Sequence, residues 1–175
     1  MTKQAVALVL FLVGTLPGSA LTDDTLARFK GGIGVLPISS AAGVANANGT
    51  FPDVNRNTVR TVNPPGQPWV IADLSADVKM NGGIKVDGRG LLLAGGNAIG
   101  GNANARVFAT LICGAAAPFT LHSSNVAGVP LEANGDFRID DFLSPLPPAD
   151  CVSPVLLIRN AANGTWFAAG IPKGD

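Results

Sequence analysis

The sequence predicts an all-β protein, and three observations lead there. Turn formers are abundant, with 22 glycines and 13 prolines in 175 residues. Turn signals recur roughly every ten residues between short aliphatic runs, the spacing of sandwich and barrel proteins. No amphipathic helical stripe extends beyond two turns. Together they point to a single β-sandwich of about seven to nine short antiparallel strands.

A different kind of segment stands ahead of that domain. Lys3 supplies a basic start, residues 5–16 form an apolar run broken only by Gly14 and Thr15, and Pro17-Gly18-Ser19-Ala20 ends it with small residues at 18 and 20. This is the pattern of an export signal with its cleavage site, and the run is shorter than the ~20 apolar residues needed to span a bilayer. The expected organisation is therefore a signal peptide at 1–20 and one β domain at 21–175, loop-rich over 21–66 and regular over 67–175. The mature chain is expected in the periplasm or outside the cell, with no membrane span once the signal is cleaved.

Along the domain, residues 21–30 suit a short helical turn or a loose new N-terminus. Residues 34–38 read as a first strand and 39–57, rich in Ser, Ala, Gly and Asn, as a loop with at most one weak strand. Residues 58–62 read as a short strand, stopped by Asn63-Pro64-Pro65-Gly66. From Trp69 the pattern is clear. Val70, Ala72, Leu74, Ala76, Val78 and Met80 alternate with Ile71, Asp73, Ser75, Asp77 and Lys79, and after Asn81-Gly82-Gly83 the residues Ile84, Val86 and Gly88 alternate with Lys85, Asp87 and Arg89. Period two means strands with one buried face, so the two runs form a hairpin. Parity alone suggests Met80 opposite Ile84, a register that also sets Lys79 against Lys85 and Asp77 against Asp87, which is unfavourable. Residues 91–94 continue the second strand as an apolar run. Residues 106–113 and 119–122 are further strands. A second hairpin is expected between 128–132 and 136–141, a proline-rich connection over 143–150, and a third hairpin between 155–159 and 165–171.

Residues 126–142 (Val-Ala-Gly-Val-Pro-Leu-Glu-Ala-Asn-Gly-Asp-Phe-Arg-Ile-Asp-Asp-Phe) are followed by the proline-rich link and then Cys-Val-Ser-Pro-Val-Leu-Leu-Ile. This stretch resembles the second half of transthyretin-like and related immunoglobulin-like sandwiches, in which an Asn/Asp-Gly-x-Phe hairpin precedes a strand of alternating aliphatics. The resemblance covers residues 126–170. It implies an immunoglobulin-like or transthyretin-like sandwich and says nothing of chemistry; the tyrosine-bearing final strands common in such domains are absent. The mature chain as a whole resembles small exported bacterial proteins.

Composition narrows the function. Without Lys3, acids exceed Lys and Arg by one, so neither a nucleic-acid footprint nor a polybasic membrane contact is expected. Cys113 and Cys151 are an even pair in an exported chain, which favours one disulfide. The loop it closes corresponds to about 4 kcal/mol in the chain-entropy model. A metal pair is disfavoured, because no other cysteine and only one histidine could complete the site.

The candidate chemistry is thin. Residues 95–105 hold a near repeat, Gly-Gly-Asn-Ala at 95–98 and 100–103. A phosphate-cradling loop would need a lysine and a following helix, so the loop offers at most Asn97, Asn102 and Asn104 as ligand contacts. His122 adjoins Ser123 and Ser124, but adjacency in sequence does not make a triad. Glu132, Asp136 and Asp140 are chemically able to hold calcium, yet read first as solvated turn acids. Asp73, Asp77 and Asp87 read as a wet sheet face. Trp69 and Trp166 read as core or edge aromatics. Asn48 and Asn163 begin Asn-Gly-Thr acceptor patterns that matter only in a eukaryotic secretory route.

The expected function is that of an exported, non-enzymatic binding or interaction module of the envelope or extracellular space. It would take a protein or carbohydrate ligand through residues 95–105 or 39–57, without cofactor, metal or nucleic acid. A structural or protective envelope protein is the alternative, and a hydrolase the last.

Overall fold

The structure is a computed structural model that describes residues 24–40, 47–48 and 54–173. The expected signal peptide and most of the 39–57 segment lie outside these residues.

Every regular element among the described residues is a strand: β1 (Thr25–Gly34), β2 (Ile38–Ser40), β3 (Val54–Arg56), β4 (Trp69–Val70), β5 (Asp73–Lys79), β6 (Gly83–Arg89), β7 (Leu92–Leu93), β8 (Arg106–Cys113), β9 (Thr120–Ser123), β10 (Val129–Pro130), β11 (Phe137–Phe142), β12 (Val155–Asn160) and β13 (Trp166–Pro172). Among these residues no helix is long and apolar enough to cross a membrane. The main sheet is antiparallel and ordered β10-β8-β12-β13-β1-β5-β6-β11, with β9 also on β8. Small ladders join β2 to β3 and β4 to β7.

The main sheet is barrel-like. β9 and β10 share the outer edge of β8, pairing with its end and its start respectively. Past the end of β11, Ser144 forms a bridge to Ser123 of β9, with N–H to O distances of 2.8 and 3.0 Å. This bridge ties the β11 edge to the β8 edge and removes much of the open backbone that an edge strand presents.

Period-two patterning sets the inner face. Leu74, Ala76 and Val78 on β5, Ile84 and Val86 on β6, and Phe137 and Ile139 on β11 are buried, while Asp73, Ser75, Lys85, Asp87, Arg138 and Asp140 face solvent. Gly88 faces inward too, and the Phe137 ring occupies the space where its Cβ would stand. β8 is buried from Val107 to Cys113, because it is covered on both faces. Segment 57–63 is bonded both to β13 and to the end of β8. There Asn57 O accepts from Trp166 Nε1 at 2.9 Å, the Trp166 amide donates to Asn63 O at 3.0 Å, and Arg60 Nη1 donates to Ile112 O at 3.0 Å. The disulfide between Cys113 and Cys151, Cα atoms 5.0 Å apart, joins the end of β8 to the strand-free stretch before β12.

Three sequence expectations are corrected. Residues 24–34 are neither helical turn nor loose end. They form β1, which runs between β5 and β13, with Ala27 and Phe29 in the core. The β5–β6 hairpin keeps the expected parity but shifts by two residues, so that Val78, not Met80, faces Ile84. The shift places Asp77 opposite Lys85 and Asp73 opposite Arg89, replacing like-charge pairs with attractive ones and leaving Met80 45% exposed beyond the strand. The expected second hairpin survives only as a tight turn, Glu132 N–H to Asp136 O at 2.9 Å. Its two arms go to different partners, β10 to β8 and β11 to β6. The third hairpin forms as expected, β12 against β13.

A candidate ligand cleft at one end of the barrel

A cleft of about 620 Å³ opens where β8 begins, β12 ends and β13 begins. Its deep wall is aromatic. The Trp69 and Phe167 rings are stacked, centroids 4.0 Å apart at 15°, and each is all but buried. They meet because β4 lies against β13. The Trp69 amide is held by Val35 O at 3.0 Å, where Gly34 lets the backbone of β1 pass so close to Trp69 O that a Cβ would have no room. Small apolar residues, Ala105, Ala127 and Ala161 among them, form the sides, and Gln67, Asn104, Arg106 and Asn160 supply the polar groups.

The rim is tied together by backbone and side-chain bonds. The Ala161 amide donates to Arg106 O at 2.8 Å, which fixes the β12–β13 turn on the start of β8. Arg106 Nε donates to Ala127 O at 2.9 Å and its Nη2 to Gly128 O, so this guanidinium holds the opposite wall. Asn160 Oδ1 accepts the Ala162 amide at 3.0 Å, shaping the turn. Ala103 and Asn104 both have positive φ, 52° and 49°, a conformation Asn tolerates better than most residues. The lining includes no carboxylate. This arrangement can accept a neutral ligand with one apolar face and hydroxyls or amides at its edge, and its volume lies in the usual range of small-molecule sites.

The three asparagines singled out from the sequence separate. Asn104 lines the cleft. Asn102 is structural: its Nδ2 donates to Leu131 O and Glu132 O at 3.2 and 2.9 Å, and its Oδ1 accepts the Asn104 amide at 2.9 Å. Asn97 is exposed and does not line the cleft. Gln67, Arg106, Asn160, Ala161 and Phe167 carry no local motif. They converge only through strand order, with the turn after β12 as the one local signal.

The remaining candidates are committed elsewhere. His122 is buried, its Nδ1 2.8 Å from Pro145 O and its Nε2 3.0 Å from Thr120 Oγ1. Ser123 Oγ pairs with Thr110 Oγ1 at 2.9 Å, and Ser124 Oγ accepts the Ala109 amide at 3.0 Å. Asp136 accepts from the Gly90 amide and from Asn134 Nδ2, and Asp140 pairs with Lys85 at 3.1 Å. Among the described residues no three of His, Cys, Asp and Glu gather as a metal site. Asp87 pairs with Arg138 at 2.6 Å and Asp77 with Arg28 at 3.2 Å. Lys79 meets Asp24 at 2.8 Å and Asp77 Oδ1 at 3.4 Å, the latter an ion pair without hydrogen-bond geometry. The hydrogen bond that Lys79 donates to Asp24 and the charge of Asp77 raise the Lys79 pKa above its usual value. Asp73 Oδ1 accepts the Leu74 amide at 2.9 Å. Trp69 and Trp166 are both buried, and Asn48 and Asn163 are both at the surface.

No protein-family model, no curated protein and no solved structure matches this chain.

Proposed function

We propose that the protein is an exported, non-enzymatic binding module that takes a neutral carbohydrate in the cleft backed by Trp69 and Phe167. The carrying observation is the cleft's chemistry: a volume of about 620 Å³ whose polar lining is neutral amides and one arginine already holding two carbonyls. Alanine and proline walls suit the C–H face of a sugar ring, and Gln67, Asn104 and Asn160 suit its hydroxyls. Rims fixed by backbone bonds favour a preformed site, which lowers the ordering cost of binding. The non-enzymatic reading is supported by His122, whose two nitrogens are taken by Pro145 O and Thr120 Oγ1, and by Asp77, Asp87, Asp136 and Asp140, each already paired with a cation or an amide. Export is supported by the apolar run at 5–16 and by the Cys113–Cys151 bond, which suits an oxidising compartment.

The test is calorimetric titration of the reduced-free, disulfide-intact protein with a panel of neutral oligosaccharides, alongside Ala161→Arg, which fills the cleft. At least one saccharide is expected to bind, and Ala161→Arg to weaken it by roughly tenfold or more, about 1.4 kcal/mol. Binding that ignores Ala161→Arg, or no binding across the panel, overturns the carbohydrate reading.

A further inference from the structure

On the far side of the β12–β13 turn lies a separate pocket of about 230 Å³, lined by Thr61, Val62, Asn63, Leu121, Arg159, Asn163, Gly164 and Thr165. Two independent features mark it.

The first is Arg159. This guanidinium is half-buried, and burial lowers its pKa from the usual arginine range. Its partners are Gly164 O at 2.8 Å from Nε, Thr110 Oγ1 at 3.4 Å from Nη1, and the Phe108 ring, 5.1 Å away. It has no carboxylate partner among the described residues, whereas Arg28, Lys79, Lys85 and Arg138 each have one. A guanidinium has five N–H donors. With Nε and one Nη1 hydrogen used, three N–H donors are left, both of Nη2 among them, for charge-assisted bonds to an oxyanion.

The second is Thr61. Val59 and Val62 exchange backbone bonds of 3.0 and 2.9 Å, so Arg60-Thr61 is a two-residue hairpin loop with φ of 44° and 75°. Such loops are the territory of Asn and Gly, and a β-branched residue at positive φ is strained. Arg60 is held in place, with Nη2 donating to Ser153 Oγ at 3.0 Å and the guanidinium over Phe119. The Thr61 side chain is exposed and makes no such contact. Strain that no internal contact explains is a mark of a functional position.

The remaining polar groups agree in sign. Asn163 Oδ1 accepts from the Thr165 amide at 3.1 Å and from Thr165 Oγ1 at 2.8 Å. The amide can only donate, which leaves Asn163 Nδ2 as a free donor. Asn63 Oδ1 accepts from Thr58 Oγ1 at 3.0 Å, leaving its Nδ2 likewise. No acid lines the pocket.

We propose that this pocket is an oxyanion site, in which the remaining N–H groups of Arg159 and the amides of Asn63 and Asn163, with the Thr61 hydroxyl, hold a carboxylate, sulfate or phosphate group. The shared chemistry fits a free inorganic anion or an acidic substituent on a sugar. It is independent of the neutral-ligand cleft across the turn.

The test is an amide NMR titration of the disulfide-intact protein with sodium sulfate and, separately, with sodium galacturonate, each against sodium chloride at equal ionic strength. Shifts confined to residues 61–63, 159 and 163–165 are expected. A response to sulfate alone identifies a free-anion site, and a tighter response to galacturonate a substituent site. Asn163→Asp puts a carboxylate at the exposed rim without touching the core and is expected to weaken binding roughly tenfold or more. Thr61→Gly, which relieves the positive φ, is expected to raise the melting temperature while weakening binding. Absence of shifts with either anion beyond chloride, or Asn163→Asp binding as well as the unaltered protein, overturns the proposal.

Discussion

Trp69 and Phe167, from strands 98 positions apart in sequence, stack face to face at a centroid distance of 4.0 Å and form the deep wall of the cleft. The pair is buried as core yet borders a ligand-sized opening, so it links folding stability to the shape of the site. Phe167→Ala is expected to cost about 3–5 kcal/mol, as buried aromatic truncations do. Urea unfolding followed by near-ultraviolet circular dichroism measures it. Trp69→Phe, which keeps a stacked pair, should cost markedly less; equal losses would mean that the stack itself contributes little.

The β5–β6 register gives a prediction with a sign. Lys85 stands opposite Asp77 and pairs with Asp140 on the other side. Lys85→Glu should therefore destabilise the protein by about 0.5–1 kcal/mol, the scale of cross-strand charge pairs. In the register with Lys85 opposite Lys79, the same substitution would relieve repulsion. A stabilised Lys85→Glu variant in a denaturant melt would contradict the observed pairing.

Gly88 offers a steric test. A Cβ built there would lie 2.1 Å from Phe137 Cε1, and that ring is buried with little room to retreat. Gly88→Ala should lose about 2–3 kcal/mol through overpacking. Gly66, with open space around its Cβ, is the control: Gly66→Ala should change the thermal midpoint little.

The disulfide anchors the connection before β12. Reducing it, or replacing both cysteines by alanine, should remove about 4 kcal/mol according to the chain-entropy model for a loop of this length. The comparison is equilibrium unfolding of oxidised and reduced protein. A negligible difference would mean that the contacts of the 143–154 stretch already restrict the unfolded chain.

Much of the strand content was legible locally. Residues 106–113 coincide with β8, because a short apolar run broken only by Thr110 and bounded by Arg106 and Gly114 has few other solutions. The parity of Leu74, Ala76 and Val78 against Ile84 and Val86 was legible too, since alternation alone decides which face is buried. Register was not, because a shift of two residues preserves parity; the charges of Asp77 and Lys85 held the missing information. β1 was hidden for a different reason. Gly31, Gly32 and Gly34 weaken its strand propensity, and it is stabilised by lying between β5 and β13. Strand spacing fits a sandwich or a barrel equally, and the Ser123–Ser144 bridge that makes the sheet barrel-like leaves no trace in periodicity. The cleft was least legible. Asn104 was within reach as part of a glycine- and asparagine-rich loop, but its neighbours Asn160 and Phe167 arrive by a strand order that no local pattern encodes.

The most direct measurement is an amide chemical-shift map of the disulfide-intact protein titrated with the tightest-binding saccharide of the neutral panel. Perturbations are expected at residues 66–67, 103–106, 127 and 160–162, in the lining of the Trp69–Phe167 cleft. Perturbations gathered instead around the exposed Phe142 and Leu146, with the cleft residues silent, would contradict it.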